Sequence, residues 1–285
     1  MIEKLTYKNA AGKSLEFSVS SEFFVNISKD STGLFDVSNS INSIGNIGAA
    51  GSTYISHHVA ARDIEIVGTL NSTNKENRRQ LKELLLTTLD FEQKGTLEYT
   101  LDTHKRLIDC HVAASPSFAP AVLLEQFIIS FSCLNPFWRD EKTHRQEVTA
   151  WQGYLKFPVS IHEQNWAIGR RTESKIINCY NAGSVKTGIH VIMTATDNVN
   201  KPKLLNIDTG EFIQLNYNMK SGDTLEVFTG YGEKKVLLNG EDAFYLLTPA
   251  SSYIWLKVGD NLFKQEGETL DLDVAVEYQD CYLGA

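Results

Sequence analysis

Alternation with a period of two, repeated along most of the chain, restricts this sequence more than any other feature. In SLEFSV, Leu15, Phe17 and Val19 fall on one face, and Ser14, Glu16 and Ser18 on the other. TLEYTL repeats the pattern with Leu97, Tyr99 and Leu101, and TLDLDVAVEY with Leu270, Leu272, Val274, Val276 and Tyr278. Such segments are strands buried on one side and solvated on the other. FIISFSCLNPFWRD sets Phe127, Ile129, Phe131 and Cys133 on one face before it stops. Pro136 lacks a backbone donor and pushes Asn135 to an extended conformation, which ends ladder pairing.

One segment follows a different period. TNKENRRQLKELLLTTLD places Leu81, Leu84, Leu85 and Leu89 at helical spacing, with Thr73 and Glu76 spaced as a capping box. This predicts a helix of about four turns over roughly 74–89, laying a leucine face on a sheet. Residues 33–62 read differently again. Glycines at 33, 45, 48 and 51 among many Ser and Asn leave little that could enter a core. A segment this long inside a compact domain is either a surface excursion or an arm that reaches a neighbour.

Beyond Pro158 the chain reads as strand, turn, strand. Turns are expected at Asp208-Thr209-Gly210, Ser221-Gly222-Asp223, Asn239-Gly240 and Gly259-Asp260-Asn261. Asn-Gly is the strongest of these, because both residues tolerate positive φ. Regular turns without a helical pattern predict a β-sandwich. The expected fold class is mainly β in two domains, a helix-bearing β-sheet domain over 1–137 and a sandwich over 138–285. Phe137 and Trp138, with Pro136, are expected to anchor the junction between them.

The 285 residues carry 35 acidic and 27 basic side chains, a net charge of −8, which argues against broad capture of a nucleic-acid backbone. The opening MIEKLTYKNAAGK lacks the pattern of a signal peptide, and no apolar run is long enough for a membrane helix. A chain made in the cytoplasm, without membrane or stable nucleic-acid binding, is expected. Cys110, Cys133, Cys179 and Cys281 lie far apart in apolar surroundings and read as reduced core thiols, with a disulfide left open. No phosphate loop, nucleophile elbow or paired metal-ligand motif is present, so neither catalysis nor a cofactor is expected. His57 and His58 are adjacent, read as exposed loop residues, and His104 and His162 have no evident catalytic partner. Tyr231 sits between two glycines and is expected at the surface, whereas Tyr253 and Trp255 share a face expected to turn inward.

The order of features then becomes recognisable. A glycine-rich arm runs into GSTYISHHVAARDIEIVGTL, a helix follows, and a strand ends in LNPFWRD. After it come NCYNAGSVKTG, KLLNIDTGEFIQLNYNMKSGDTLEV, KKVLLNGEDAF and VGDNLF. This combination, over essentially the whole chain, resembles the distal tail (Dit) proteins of siphophages. The resemblance implies a structural tail component at the distal tip of the virion tail. It further implies a homo-oligomeric ring, usually of six subunits, around a channel for DNA. Its expected partners are the tail tube, tape-measure and tail-tip or tail-associated proteins. It implies a barrel-like N-terminal domain with an inter-subunit arm, carried here by Ile41, Ile44, Gly45, Ile47, Gly48, Gly51 and Tyr54. It also implies a galectin-like sandwich. His162, Asn165, Trp166 and Arg170 are the residue types of a galectin sugar site but lack its spacing. A module for host cell-wall glycans, with weak sugar binding, is therefore the second reading.

Overall fold

A computed structural model of the chain describes residues 3–48, 50–72, 74–119, 124–147, 151–153, 169–171, 176–266 and 271–285, with backbone alone at 151–153 and 169–171. The chain divides into two compact units, Met1–Glu141 with Cys281–Ala285, and Lys142–Asp280. The observed division falls a few residues beyond position 137, and it returns the last five residues to the first unit.

The first unit contains β1 (Glu3–Lys8), β2 (Ser14–Ser18), β3 (Phe23–Phe24), a short helix α1 (Ile27–Asp30) and β4 (Ser31–Thr32). β5 (Asn39–Gly45), β6 (Ser52–Val59), β7 (Arg62–Leu70), α2 (Lys75–Thr88) and β8 (Gly95–Leu101) follow. β9 (His104–Ala119), β10 (Gln126–Cys133) and β11 (Trp138–Asp140) complete the run before the chain leaves. The main sheet runs β10-β7-β3-β2-β1-β8-β9, and β9 pairs with β10 as well, so the sheet closes into a barrel. Closure removes the free edges that an open sheet would expose.

The barrel is filled by the inward residues of the alternating strands. Phe127, Ile129, Phe131 and Cys133 are all fully buried, as their spacing predicts. Leu15 and Phe17 are buried with them, but β2 ends at Ser18 and Val19 is exposed. Phe131 stacks on Tyr7 at 5.2 Å, and Phe23 meets Phe127 edge-on at 6.0 Å, the geometries aromatic quadrupoles favour.

α2 lays Leu81 and Leu85 into this core, with Leu89 buried at its C-cap. Leu84 faces solvent, because the buried stripe of this helix is narrower than its run of leucines. The N-cap is Asn74, whose Oδ1 accepts from the Asn77 N–H at 2.8 Å. Thr73 lies outside the described residues. Glu76, expected in a capping box, instead pairs with Arg79 at 2.9 Å.

The second unit begins with β12 (His144–Glu147), β13 (Trp151–Gly153), β14 (Gly169–Arg171), β15 (Ile176–Asn178), β16 (Thr187–Gly188), β17 (His190–Ala195) and β18 (Val199–Asn200). β19 (Lys203–Asn206), β20 (Phe212–Gln214), β21 (Asn218–Met219), β22 (Thr224–Phe228), β23 (Lys235–Leu238) and β24 (Glu241–Asp242) come next. β25 (Trp255–Leu256), β26 (Leu262–Glu266) and β27 (Leu272–Tyr278) complete it. β28 (Cys281–Tyr282) then pairs with β11 in the first unit.

A six-stranded sheet, β12-β27-β17-β22-β23-β24, and a four-stranded sheet, β15-β26-β19-β20, supply one apolar core. Val191, Met193, Val227, Val274 and Val276 enter it from the first sheet, and Leu204, Ile213 and Phe263 from the second. This is a β-sandwich. Asn239 and Gly240, at φ 53° and 84°, form the tight turn between β23 and β24 that their residue types predict.

Candidate assembly surface

Within residues 33–62, read from the sequence as a surface excursion or a reaching arm, the chain forms a β-hairpin. β5 and β6 pair with one another in antiparallel register, from Asn39 opposite Val59 to Gly45 opposite Ser52, and with no other described strand. Ala60 N–H donates to Ser38 O at 3.1 Å and closes its base. Gly48 (φ 77°) and Gly51 (φ 92°) turn the tip, where the Asn46 N–H donates to Gly51 O. The register shifts between Asn42 and Ser43, so that Ile55 is extra on the β6 side. That bulge places Tyr54 and His57, three residues apart, on one face, and Tyr54 Oη lies 2.6 Å from His57 Nδ1. His57 and His58 thus sit in a strand of the hairpin, not in a loop.

Almost nothing on this hairpin is buried. Ile41 is 65 % exposed and Ile44 63 %, while Ile47 is fully exposed at the tip and Tyr54 and Ile55 are also open. No Asp, Glu, Lys or Arg lies between Asp36 and Arg62. Exposed apolar residues scattered singly are normal, but a cluster of them on an uncharged excursion marks a surface that meets something. Among the described residues, both outer edges of the hairpin lack a neighbouring strand and the charges or prolines that usually blunt a free edge. Fully burying four isoleucines would contribute about 6–12 kcal/mol at roughly 1.5–3 kcal/mol each. That is comparable with the rigid-body cost of association, about 4–15 kcal/mol.

Pro136, Phe137 and Trp138 lie together where the chain approaches the end of the first unit. All three are buried, and Trp138 is enclosed completely within the barrel core. Its Nε1–H donates to Leu34 O at 3.0 Å, and its ring meets Tyr99 edge-on at 6.4 Å. Phe137 N–H donates to Asn135 Oδ1 at 3.3 Å, while Leu134, two residues before the proline, is exposed.

On the second unit, the expected inward face of YIWLKV is reversed. Ile254 and Leu256 are fully buried, so Tyr253 and Trp255 occupy the outer face, partly exposed. Tyr231 is exposed as expected, and its ring lies 4.5 Å from that of Trp255. Lys186 Nζ sits 5.3 Å from the Trp255 ring, and Lys234 Nζ 5.0 Å from the Tyr253 ring. The reversal follows from strand length, since β25 spans only Trp255–Leu256 and too short a run alternates to reveal its inner face. His162, Asn165 and Trp166 lie outside the described residues, and Arg170 is described only as backbone in β14.

Cys110, Cys133, Cys179 and Cys281 form no disulfide. Burial pushes Cys133 and Cys179 up to about 12, and Cys110 higher still, so these three are inert neutral core groups. His104 is exposed at the start of β9. Among the described residues, no three His, Cys, Asp or Glu side chains are grouped to hold a metal ion, and no helix is long and apolar enough to cross a membrane.

Comparison with known proteins agrees with this architecture. Residues 182–282 match the family of the siphovirus-type tail component, C-terminal domain. No curated protein matches the chain by sequence. Among solved structures, the crystal structure of the phage SPP1 Dit protein (gp 19.1), described as a paradigm of the hub adsorption apparatus in phages infecting Gram-positive bacteria, superposes with a TM-score of 0.69. The two share 14% identity, over 98% of this chain and 99% of that one. Chains of the phage p2 baseplate in its activated conformation give TM-scores of 0.49 with strontium (8% identity) and 0.46 with calcium (10% identity). Each covers 97% of this chain and 98% of the other, and the fold comparison rests on the SPP1 protein. A barrel bearing an open hairpin, followed by a sandwich, is thus the fold seen in the SPP1 distal tail protein over the length of the chain, and residues 182–282 are similar to the siphovirus-type tail component family.

Proposed function

We propose that this protein is a structural component of a siphophage tail, a hub at the distal tip of the virion tail that acts by assembly and not by catalysis. The observation that carries the reading is the uncharged hairpin of β5 and β6 with its exposed isoleucines, joined to a closed barrel and, among the described residues, paired with no other strand of its own chain. A ring of subunits, six in the proposed assembly, would give each hairpin a neighbour to lie on. Such a contact is heterologous and repeats by rotation, so one surface must match a different one next door. The hairpin supplies Ile41, Ile44, Ile47 and Tyr54 as contacts, and its open edge can add to a neighbour's sheet. Tail tube, tape-measure and tail-tip proteins are the proposed partners along the ring axis. The negative net charge suits a central channel that DNA crosses without sticking.

The test is excision of residues 39–59. Ser38 and Ala60 are already hydrogen-bonded, so joining them leaves the barrel undisturbed. The intact protein is expected to form rings in negative stain and a matching mass in solution, and the shortened one to remain monomeric with both units folded. Ring formation by the shortened protein would refute the hairpin's role. A strictly monomeric intact protein at high concentration, with no rings, would refute the hub reading.

A second reading, weak binding of cell-wall sugar, is favoured by the outward aromatic pair Tyr231–Trp255 with Lys186 beside it. Aromatic faces stack on the apolar side of pyranose rings. Pull-down on purified cell walls with Tyr231→Ala as the comparison decides it.

A further inference from the structure

The inward phase of β7 should be apolar throughout, yet it begins with Arg62, only 2% exposed, ahead of Ile64, Ile66 and Leu70. The guanidinium meets backbone carbonyls from three separate segments. Nε–H donates to Pro136 O at 2.7 Å, and Nη1–H to Gly33 O at 2.7 Å and Leu34 O at 2.9 Å. Nη2–H donates to Leu283 O. A buried cation held by carbonyls is costly even with Asp36 near enough to favour its charge, and an apolar residue of similar volume often serves stability as well or better. The rigid fork of five donors is what an apolar residue could not supply.

The carbonyls it gathers share a location. Gly33 and Leu34 stand where the chain leaves the barrel for the hairpin, and Arg62 itself stands where the chain returns. Leu34 O accepts in addition from Trp138 Nε1–H and from the Ala285 N–H, each at 3.0 Å. Gly33 has φ 78°, and a Cβ there would lie 2.0 Å from Asp63 O, so the outgoing strand is pressed directly on the returning one. Residues 281–285 reach this point from beyond the entire second unit. β28 pairs with β11, Arg106 Nη1–H donates to Gly284 O at 2.6 Å, and the Arg106 guanidinium covers the Tyr282 ring at 3.8 Å.

We propose that Arg62 and residues 281–285 form a clasp that fixes the hairpin's root, and with it the direction in which the hairpin leaves the barrel. Combined with the ring reading, on which this consequence rests, they are positioning residues for subunit contact that need not touch the neighbouring subunit. The clasp also imposes an order. Its last strand is made only after residues 142–280, so a chain interrupted within the second unit has an unclasped hairpin and is excluded from the ring.

Two variants test this, deletion of residues 283–285 and Arg62→Lys, each read by hydrogen exchange and by sedimentation. The deletion removes the acceptors Leu283 O and Gly284 O and the Ala285 donor, and only the small Ala285 side chain from the edge of the barrel core. Exchange at residues 33–38 and 59–62 is expected to rise about 10-fold for each hydrogen bond lost, with β1 and β8 unchanged, and rings to require about 10-fold more protein. Lysine keeps the charge but cannot fork to four carbonyls, so Arg62→Lys is expected to repeat the effect. Unchanged exchange at the root in the deletion variant would overturn the clasp, as would wild-type behaviour of Arg62→Lys. Faster exchange with ring formation unaltered would overturn the positioning role. Faster exchange in a protein whose intact form makes no rings would support the clasp and sink the ring reading instead.

Discussion

Trp138 offers the sharpest quantitative test, because two physical terms at one side chain can be separated. Its ring is fully buried, and its Nε1–H donates to Leu34 O. Replacement by alanine removes the whole side chain from the core and is expected to destabilise the first unit by about 3–5 kcal/mol. The hydrogen bond alone is a smaller matter. Its acceptor also receives Arg62 Nη1–H and the Ala285 N–H, so Leu34 O is not orphaned when the indole is lost, and the net loss lies near about 1 kcal/mol. Trp138→Phe keeps an aromatic ring against Tyr99 and should cost about 1–2 kcal/mol.

With a urea dependence of about 2 kcal/mol per molar, the alanine variant shifts the midpoint by roughly 2 M and the phenylalanine variant by less than about 1 M. The assay is hydrogen exchange along a urea titration, reading β1, β8 and β10 for the first unit and β17 and β27 for the second. Equal shifts for Phe and Ala would show that the hydrogen bond dominates and would refute this reasoning. A shift of the same size in β17 and β27 would refute the assignment of Trp138 to the first unit's core.

Gly33→Ala is expected to destabilise the first unit by at least about 1–3 kcal/mol, the range for a strained positive-φ residue, since the added methyl also meets Asp63 O; thermal unfolding measures it. Acid should weaken the first unit through Glu98 and Asp109. Burial raises both carboxyls, but Lys8 and Lys105 on Glu98, and Arg139 and Lys94 on Asp109, outweigh it and hold both below their usual range. Groups depressed in the folded state stabilise it fully above their unfolded values, about 4, and that stability is lost as pH falls through the lower folded values. Glu98→Gln with Asp109→Asn should flatten the acid limb of a stability–pH curve. Alkylation of the native protein at pH 8 should modify Cys281 and spare Cys110, Cys133 and Cys179 until denaturant is added, as peptide mapping would show.

What the sequence disclosed depended on one-sided burial. β10 was legible residue by residue, because its two faces see different surroundings and its residue types record the difference. The hairpin was not, because both faces of β5 and β6 meet solvent and nothing drives an alternation; composition marked it as unusual without showing that it was paired. α2 was placed within a residue or so, but Leu84 and Leu86 outside its buried stripe made the leucine face look broader than it is. Tyr253 and Trp255 were assigned to the wrong side for want of neighbours in phase. Arg62 is also marked in the sequence. In RDIEIVGTL it holds the same phase as Ile64, Ile66 and Leu70, and a charge in an inward phase indicates a partner waiting inside.

The chain leaves the barrel after β11 and re-enters it at β28, and these strands are antiparallel partners, with Arg139 opposite Cys281. Positions paired in this way lie about 5 Å apart, a gap that a tight turn can bridge. The second unit is therefore inserted, in sequence, between two paired strands that extend the first unit's sheet beyond β9. Its replacement by a turn, or by an unrelated domain whose termini lie close together, leaves β11 and β28 in register and Leu283 within reach of Arg62. A lineage could then exchange what this site displays while keeping the barrel, the clasp and the hairpin intact.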